Sequence, residues 1–257
     1  MMKFKRNFPA AKQRGFSLLE LLLVIAILSL IVGAVFSQMG DAQQRLNAEE
    51  MKLGDFQEAR DFVDQFFRDI NQAGTPNIRM FDPTQITFNT TNNTYDSRLA
   101  VGLVSIGNNS ITFEGSVNGT GTVQSVTYQI NGSGACSLCL QRSQVDKANN
   151  TSPTAQGTDW GTEINDLTNT NAFPIFKYYQ YDGTQIASST LTTPIDISNP
   201  TNANIIATVK TIQINLTIRN NAIIDQKTGQ PIETSFEGEV SLNNCSMAST
   251  GQVMSCQ

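Results

Sequence analysis

The sequence predicts an α+β fold: a long N-terminal helix, apolar in its first half and amphipathic in its second, packed on an antiparallel β-sheet domain. Three observations carry this. Residues Phe16 to Phe36 form an apolar run of 21 residues with one acid, Glu20, inside it. Phe56, Ala59, Val63, Phe66, Phe67, Ile70 and Ala73 then recur at helical spacing, with charged residues between them. From residue 84 onward the pattern changes to short alternating stretches separated by Asn-Gly and Asp-Gly pairs, at Asn118-Gly119, Asn131-Gly132 and Asp182-Gly183, which are hairpin signals.

The chain opens with a basic leader, residues 1–15, holding Lys3, Lys5, Arg6, Lys12 and Arg14 and no acids. The apolar run that follows it would rise about 30 Å as a helix, the thickness of a bilayer core. It is too long for the core of a cleaved secretory signal, and no Ala-x-Ala site follows it. A plain signal anchor accounts for the length and for the basic flank. It gives no reason for Gly15 before Phe16 or for Glu20 inside the apolar run. An ionised carboxylate at membrane depth costs about 2.5–3.5 kcal/mol on insertion scales, so Glu20 is expected to be functional and to have a partner. Ser17 and Glu20 also have the spacing of a capping box, compatible with that role.

The membrane half of the helix is expected over 16–38 and the amphipathic half over 39–75. Asp55, Glu58, Arg60, Asp61, Asp64, Arg68 and Asp69 are expected on its wet side. No proline interrupts Phe16 to Thr75, and Ala73-Gly74-Thr75-Pro76 reads as a stop. A single helix of about 58 residues follows, with Gly33, Gly40 and Gly54 as weak points.

Residues 76–257 are expected to form one β-rich domain. Strands are predicted over Gln85–Phe88, Leu99–Ile106, Ser110–Glu114, Val123–Ile130, Phe173–Tyr181, Val209–Arg219 and Glu233–Leu242. The clearest is Val209–Arg219, where Ile212, Ile214, Leu216 and Ile218 alternate with polar residues: one face on a core, one in water. The apolar stripe of the helix needs such a face. Residues 141–170 are mostly polar, with Trp160 as their one aromatic side chain, and are expected to form a long surface loop.

Charge and composition exclude several functions. Without the leader, 12 basic residues face 22 acidic ones, a formal balance of −10, so nucleic acid is not an expected partner. The chain has no histidine, no Gly-x-Ser-x-Gly elbow and no phosphate-binding loop, which speaks against an enzyme; no cofactor and no metal are expected. Glu237 and Glu239 share a strand face but read as a solvated edge. Cys136, Cys139, Cys245 and Cys256 all follow the apolar segment, which places them in an oxidising compartment if the leader is inside. Proximity favours pairing Cys136 with Cys139 and Cys245 with Cys256 among the three possible connectivities. A redox pair at Cys136-Ser-Leu-Cys139 would need a strand-to-helix junction, whereas its flanks read as a hairpin. A four-cysteine zinc site would need a tighter spacing between Cys245 and Cys256.

Gly15-Phe16-Ser17-Leu18-Leu19-Glu20, running into an apolar helix, resembles the prepilin signal of the type IV pilin and pseudopilin superfamily. The resemblance implies cleavage between Gly15 and Phe16 by a prepilin peptidase on the cytoplasmic side, and N-methylation of Phe16. It also implies that Glu20 pairs with the N-terminal amine of a neighbouring subunit during assembly. A weaker resemblance covers most of the remaining chain. The segments Arg68 to Gly74, Ile111 to Phe113, Val126 to Ile130, Phe176 to Gly183 and Val240 to Asn244 are similar to minor pilins of the PilW type and to type II secretion pseudopilins of the GspJ type. Asn243 departs from the Leu-Arg-Asn usual in the last of these. The implied role is structural: a minor subunit of a tip or priming complex that initiates a filament. The implied partners are other minor and major pilins or pseudopilins, the prepilin peptidase, an inner-membrane assembly platform and membrane lipid. A minor pseudopilin of type II secretion, a filament-associated adhesin and a catalytic domain on a pilin-like anchor are the alternatives.

Overall fold

A computed structural model of the chain describes residues 17–87, 90–132, 138–224 and 229–243. It divides into two compact units, residues 1–50 and 51–257. The α+β prediction holds: a long N-terminal helix is followed by antiparallel sheets. The described part of the first unit is helical from Leu18, the start of α1 (Leu18–Gln72). Its predicted apolar segment is exposed throughout, from Leu18 to Phe36.

The second unit holds the remainder of α1 and, in chain order, α2 (Thr90–Tyr95), β1 (Leu103–Ile106), β2 (Ser110–Gly115), β3 (Gln124–Asn131), β4 (Cys139–Asp146), β5 (Trp160–Ile164), β6 (Phe176–Gln180), β7 (Ile195–Asp196), α3 (Pro200–Ala207), β8 (Val209–Ile224) and β9 (Pro231–Ser241). Six strands form one antiparallel sheet in the order β5-β4-β3-β2-β1-β7; a second sheet has the order β6-β8-β9. Hairpins join β2 to β3 and β3 to β4, and the Asn118-Gly119 pair makes the first turn with Gly119 at φ +70°. α3 is absent from the sequence expectations, although Asn199 caps it by accepting from the Thr201 N–H and Pro200 opens it.

The amphipathic stripe lands where expected from Ala59 to Ala73 and gains Phe62, but Phe67 is only partly buried and Phe56, expected in the stripe, is exposed. Ala59, Phe62, Val63, Phe66, Ile70 and Ala73 are buried in one core with residues of both sheets. Phe66 is the hinge pin of that core: its ring lies 5.3 Å from Tyr128 of the large sheet, edge-on, and 5.5 Å from Phe176 of the small one, stacked. Ile212, Ile214, Leu216 and Ile218 of β8 all face this core, as their alternation predicts. Two glycines let α1 come close. A Cβ on Gly115 would sit 2.3 Å from the Gln72 carbonyl oxygen, and one on Gly238 would meet Phe67 Cζ at 2.7 Å.

Three strand expectations are corrected. Residues 85–87 are not extended: the Asp82 carboxylate accepts the Thr84 N–H at 2.8 Å and the Asp82 carbonyl accepts from Gln85 and Ile86, winding this segment into a turn; Phe88 lies outside the described residues. Only Leu103–Ile106 of the expected Leu99–Ile106 is strand, because Gly102 adopts φ +90° and breaks the run; Leu99 and Val101 instead fill a small second core with Ile86 and Val104. The β6 strand begins at Phe176, after a turn in which Thr170 and Phe173 exchange backbone hydrogen bonds.

The largest correction concerns residues 141–170. They are not one loop: they supply most of β4 and all of β5, two strands of the large sheet. The polar run Gln141-Arg142-Ser143-Gln144 hides the strand because its inward face buries a charge network instead of apolar side chains. Between the strands, residues 147–159 do form a connection, with a short 3-10 turn at Pro153–Ala155.

Candidate functional site

The apolar helix begins with an ordinary backbone start. The Ser17 carbonyl accepts the N–H groups of Glu20 at 3.0 Å and Leu21 at 3.2 Å. The side-chain half of the expected capping box is not formed; the Glu20 carboxylate is exposed and makes no hydrogen bond among the described residues. Glu20 is the acid of the first turn of α1, where the helix dipole favours a negative charge. Beyond it the segment is one continuous apolar surface, with a mean hydropathy of 2.9 over its most apolar 18 residues and none of that window buried. By length and composition it is sufficient to cross a membrane. Its one hydroxyl past Glu20, Ser29, donates to the Ile25 carbonyl at 2.8 Å, so no polar group there requires water. Gly33, Gly40 and Gly54 have open space around them.

Of the other sequence-predicted site residues, Gly15, Phe16, Cys136, Cys245 and Cys256 lie outside the described residues. Cys139 is fully buried and disulfide-bonded; it opens β4, opposite Asn131 at the end of β3. Cys139 therefore stands at the start of a strand paired with β3 and not at a strand-to-helix junction. Glu237 and Glu239 are both exposed on β9, at the border of the small sheet. Among the described residues no group of three or more His, Cys, Asp or Glu side chains is placed to hold a metal ion.

Sequence reasoning placed Asp69 on the wet side of α1; the structure buries it. Its Oδ2 accepts from Tyr128 Oη at 2.6 Å and from Arg142 Nη2 at 2.8 Å and Nε at 3.0 Å. Arg142 Nη2 also donates to Gln144 at 2.6 Å. Burial, reinforced by the Asp69 charge, pushes the Tyr128 hydroxyl well above its ordinary range, so it remains a donor. A second buried pair joins β2 to the end of β4. Lys147 Nζ donates to Glu114 Oε2 at 2.6 Å and to the Leu99 carbonyl at 2.8 Å, with both charged side chains fully enclosed. Burial drives the Glu114 carboxyl up and the Lys147 amine down, each toward its neutral form. Neither pair had a local signal, because the partners are 73 and 33 positions apart. Both are anchors of the fold, and neither lines the grooves formed among the described residues.

Along the second-unit part of α1 runs a shallow acidic groove lined by Glu58, Asp61, Asp64 and Glu163 with Arg68. Burial, then the charges of Asp55 and Asp166, raise the Glu58 carboxyl. No nucleophile–base pair converges in it.

No curated protein and no solved structure matches the chain. Residues 10–36, the leader's end, the Gly15–Phe16 junction and the apolar run, match the family model described as the prokaryotic N-terminal methylation motif, so the chain carries a type IV pilin-like prepilin signal.

Proposed function

We propose that this chain is a minor pilin, a structural subunit that is made as a prepilin and helps form the tip or priming complex that initiates a type IV pilus. The observation that carries the reading is the methylation motif running into an exposed apolar helix whose first turn holds an acid without a partner among the described residues. In this reading the prepilin peptidase cuts between Gly15 and Phe16 and methylates the Phe16 amine. The mature chain stays in the inner membrane by its apolar segment, ectodomain in the periplasm, until the assembly platform extracts it. Glu20 then accepts the amine of a neighbouring subunit, which removes the cost of an ionised carboxylate among apolar side chains. Other pilins bury the exposed face of Leu18–Phe36. A disulfide at Cys139 supports an oxidising compartment for the ectodomain. The second unit, residues 51–257, is large for a subunit repeated in a closely packed lattice, which favours a low-copy place near the tip. A minor pseudopilin of type II secretion would use the same chemistry, and the two machines differ in partners and not in processing.

The test is intact-mass and N-terminal analysis of the full chain expressed with and without a prepilin peptidase, beside Gly15→Glu. Loss of residues 1–15 with one added methyl group on Phe16, abolished by Gly15→Glu, is the expected result. An uncut chain, or a cut beyond Phe36, overturns the reading. Crosslinking of wild-type and Glu20→Ala chains to co-expressed minor and major subunits then identifies the machine, and Glu20→Ala is expected to lose assembly while retaining processing.

A further inference from the structure

The face of the large sheet turned away from Phe113 and Tyr128 carries a row of side chains that crosses all six strands. Asp196, Ser105, Thr112, Thr127, Ser143 and Trp160 are successive cross-strand partners from β7 to β5, and directly paired residues project from the same face. Between this row and the segment 153–158 lies a groove of about 220 Å³, lined by Ser105, Thr112, Ser125, Thr127, Thr158 and Asp196 among others.

The wall of the groove is pre-formed. Gln156 spends its side chain on the connection itself: Oε1 accepts the Ala148 N–H at 2.8 Å, and Nε2 donates to the Thr151 and Ser152 carbonyls, each at 3.2 Å. Pro153, which opens the 3-10 turn and also lines the groove, is buried. The floor, by contrast, retains unspent hydrogen-bonding capacity. Ser125 is only 4% exposed and its hydroxyl has no partner among the described residues, although it lines the groove. Thr112 and Thr127 share one hydrogen bond, at 3.0 Å, which leaves one hydroxyl proton and several lone pairs over. Asp196 Oδ1 accepts from the backbone and hydroxyl of Ser198, while Oδ2 has no partner among the described residues. At the far end of the row Trp160 is 37% exposed, two strand spacings from Thr127, or about 9–10 Å.

These groups define a ligand class. Among the described residues no lysine or arginine lines the groove, and the chain is acidic, so an anion is repelled. Hydroxyls and one carboxylate with few apolar neighbours suit a neutral molecule dense in both donors and acceptors, and an exposed indole in line with them suits the C–H face of a second ring. We propose that this groove binds a neutral pyranose residue of a glycan, with Asp196 Oδ2 and the Ser125, Thr112 and Thr127 hydroxyls meeting sugar hydroxyls and Trp160 stacking against the adjoining sugar. The site goes beyond the assembly role and does not rest on it, since an unprocessed chain carries the same groove.

The experiment titrates the detergent-solubilised full chain with methyl glycosides of glucose, galactose, mannose and N-acetylglucosamine, and with methyl sialoside as the anionic probe, by saturation-transfer NMR and calorimetry. At least one neutral glycoside is expected to bind with a Kd of about 1 mM, the sialoside not at all. Asp196→Asn and Thr127→Val are expected to weaken binding about tenfold each, and Thr127→Ser to preserve it, with melting temperatures held within a few degrees as the check on folding. Trp160→Ala should weaken a disaccharide and leave the monosaccharide unchanged. Absence of binding by every neutral glycoside up to roughly fifty times that Kd, or binding undiminished in the Asp196→Asn/Thr127→Val double variant, overturns the proposal.

Discussion

The Arg142 guanidinium reaches Asp69 Oδ2 with two N–H groups, at 2.8 and 3.0 Å, and so ties α1 to β4 across 73 positions of chain. Both side chains are largely buried, and Tyr128 completes the site from β3. Removing one member of such a pair leaves an uncompensated charge in a medium that cannot solvate it. Asp69→Ala is therefore expected to lower unfolding free energy by about 3 kcal/mol, measured by urea denaturation of the detergent-solubilised chain. Asp69→Asn, which keeps an acceptor for Tyr128, should lose less. A loss below about 1 kcal/mol for Asp69→Ala would show that water screens the pair.

The Glu114–Lys147 pair is more deeply enclosed, and its two partners can be separated by design. Lys147→Met strands a carboxyl that still accepts the Val101 N–H, and is expected to cost about 3–5 kcal/mol. Combining it with Glu114→Gln, which retains an acceptor for that N–H, should recover a large part of the loss. An additive double variant would contradict a direct coupling between the two groups.

Close packing of α1 makes a different prediction at two glycines. In Gly115→Ala the new methyl meets the Gln72 carbonyl oxygen, a backbone atom that cannot swing aside, whereas in Gly238→Ala it meets the end of the Phe67 ring. Both should destabilise, by about 1–3 kcal/mol, with Gly115→Ala the worse. Thermal melts of the two variants decide the order, and the reverse order would mean that the helix end yields more easily than the aromatic packing.

Asp96 is expected to contribute to the loss of stability in acid. The side-chain hydrogen bond from Arg98 holds its carboxyl below the usual value, against a smaller opposing effect of burial. The folded state thus binds this proton less readily than the unfolded chain. The contribution is complete above the unfolded carboxylate range, near pH 4, and is lost as pH falls through the lower folded-state value. Stability measured from pH 6 down to pH 2 should fall less steeply below pH 4 in Asp96→Asn than in the wild type. Parallel curves would exclude Asp96 as a source of the acid slope.

How much of this was legible depended on what kind of signal each feature leaves. The leader, the Gly15–Phe16 junction and the apolar run are contiguous, so their meaning sits within one window of sequence, and the methylation-motif match over residues 10–36 covers the leader's end, the junction and the apolar run. The amphipathic stripe from Ala59 to Ala73 and the alternation of β8 were equally plain, because burial of apolar side chains against a core imposes the 3.6 and 2.0 periods directly. β4 and β5 were not legible. Arg142 and Gln144 face inward but are polar, satisfied by Asp69 and by each other, so the strand carries no hydrophobic period.

By itself, then, the sequence determined the helix, its apolar half, the processing signal and the β character of the remainder, all consequences of local composition and spacing. Only the tertiary structure decided that Asp69 is buried, that Lys147 closes on Glu114, and that six polar and aromatic residues from six strands align on one face. Each of these is a relation between residues brought together by strand register. Register is set by the packing of the whole sheet and leaves no period in any single stretch of chain.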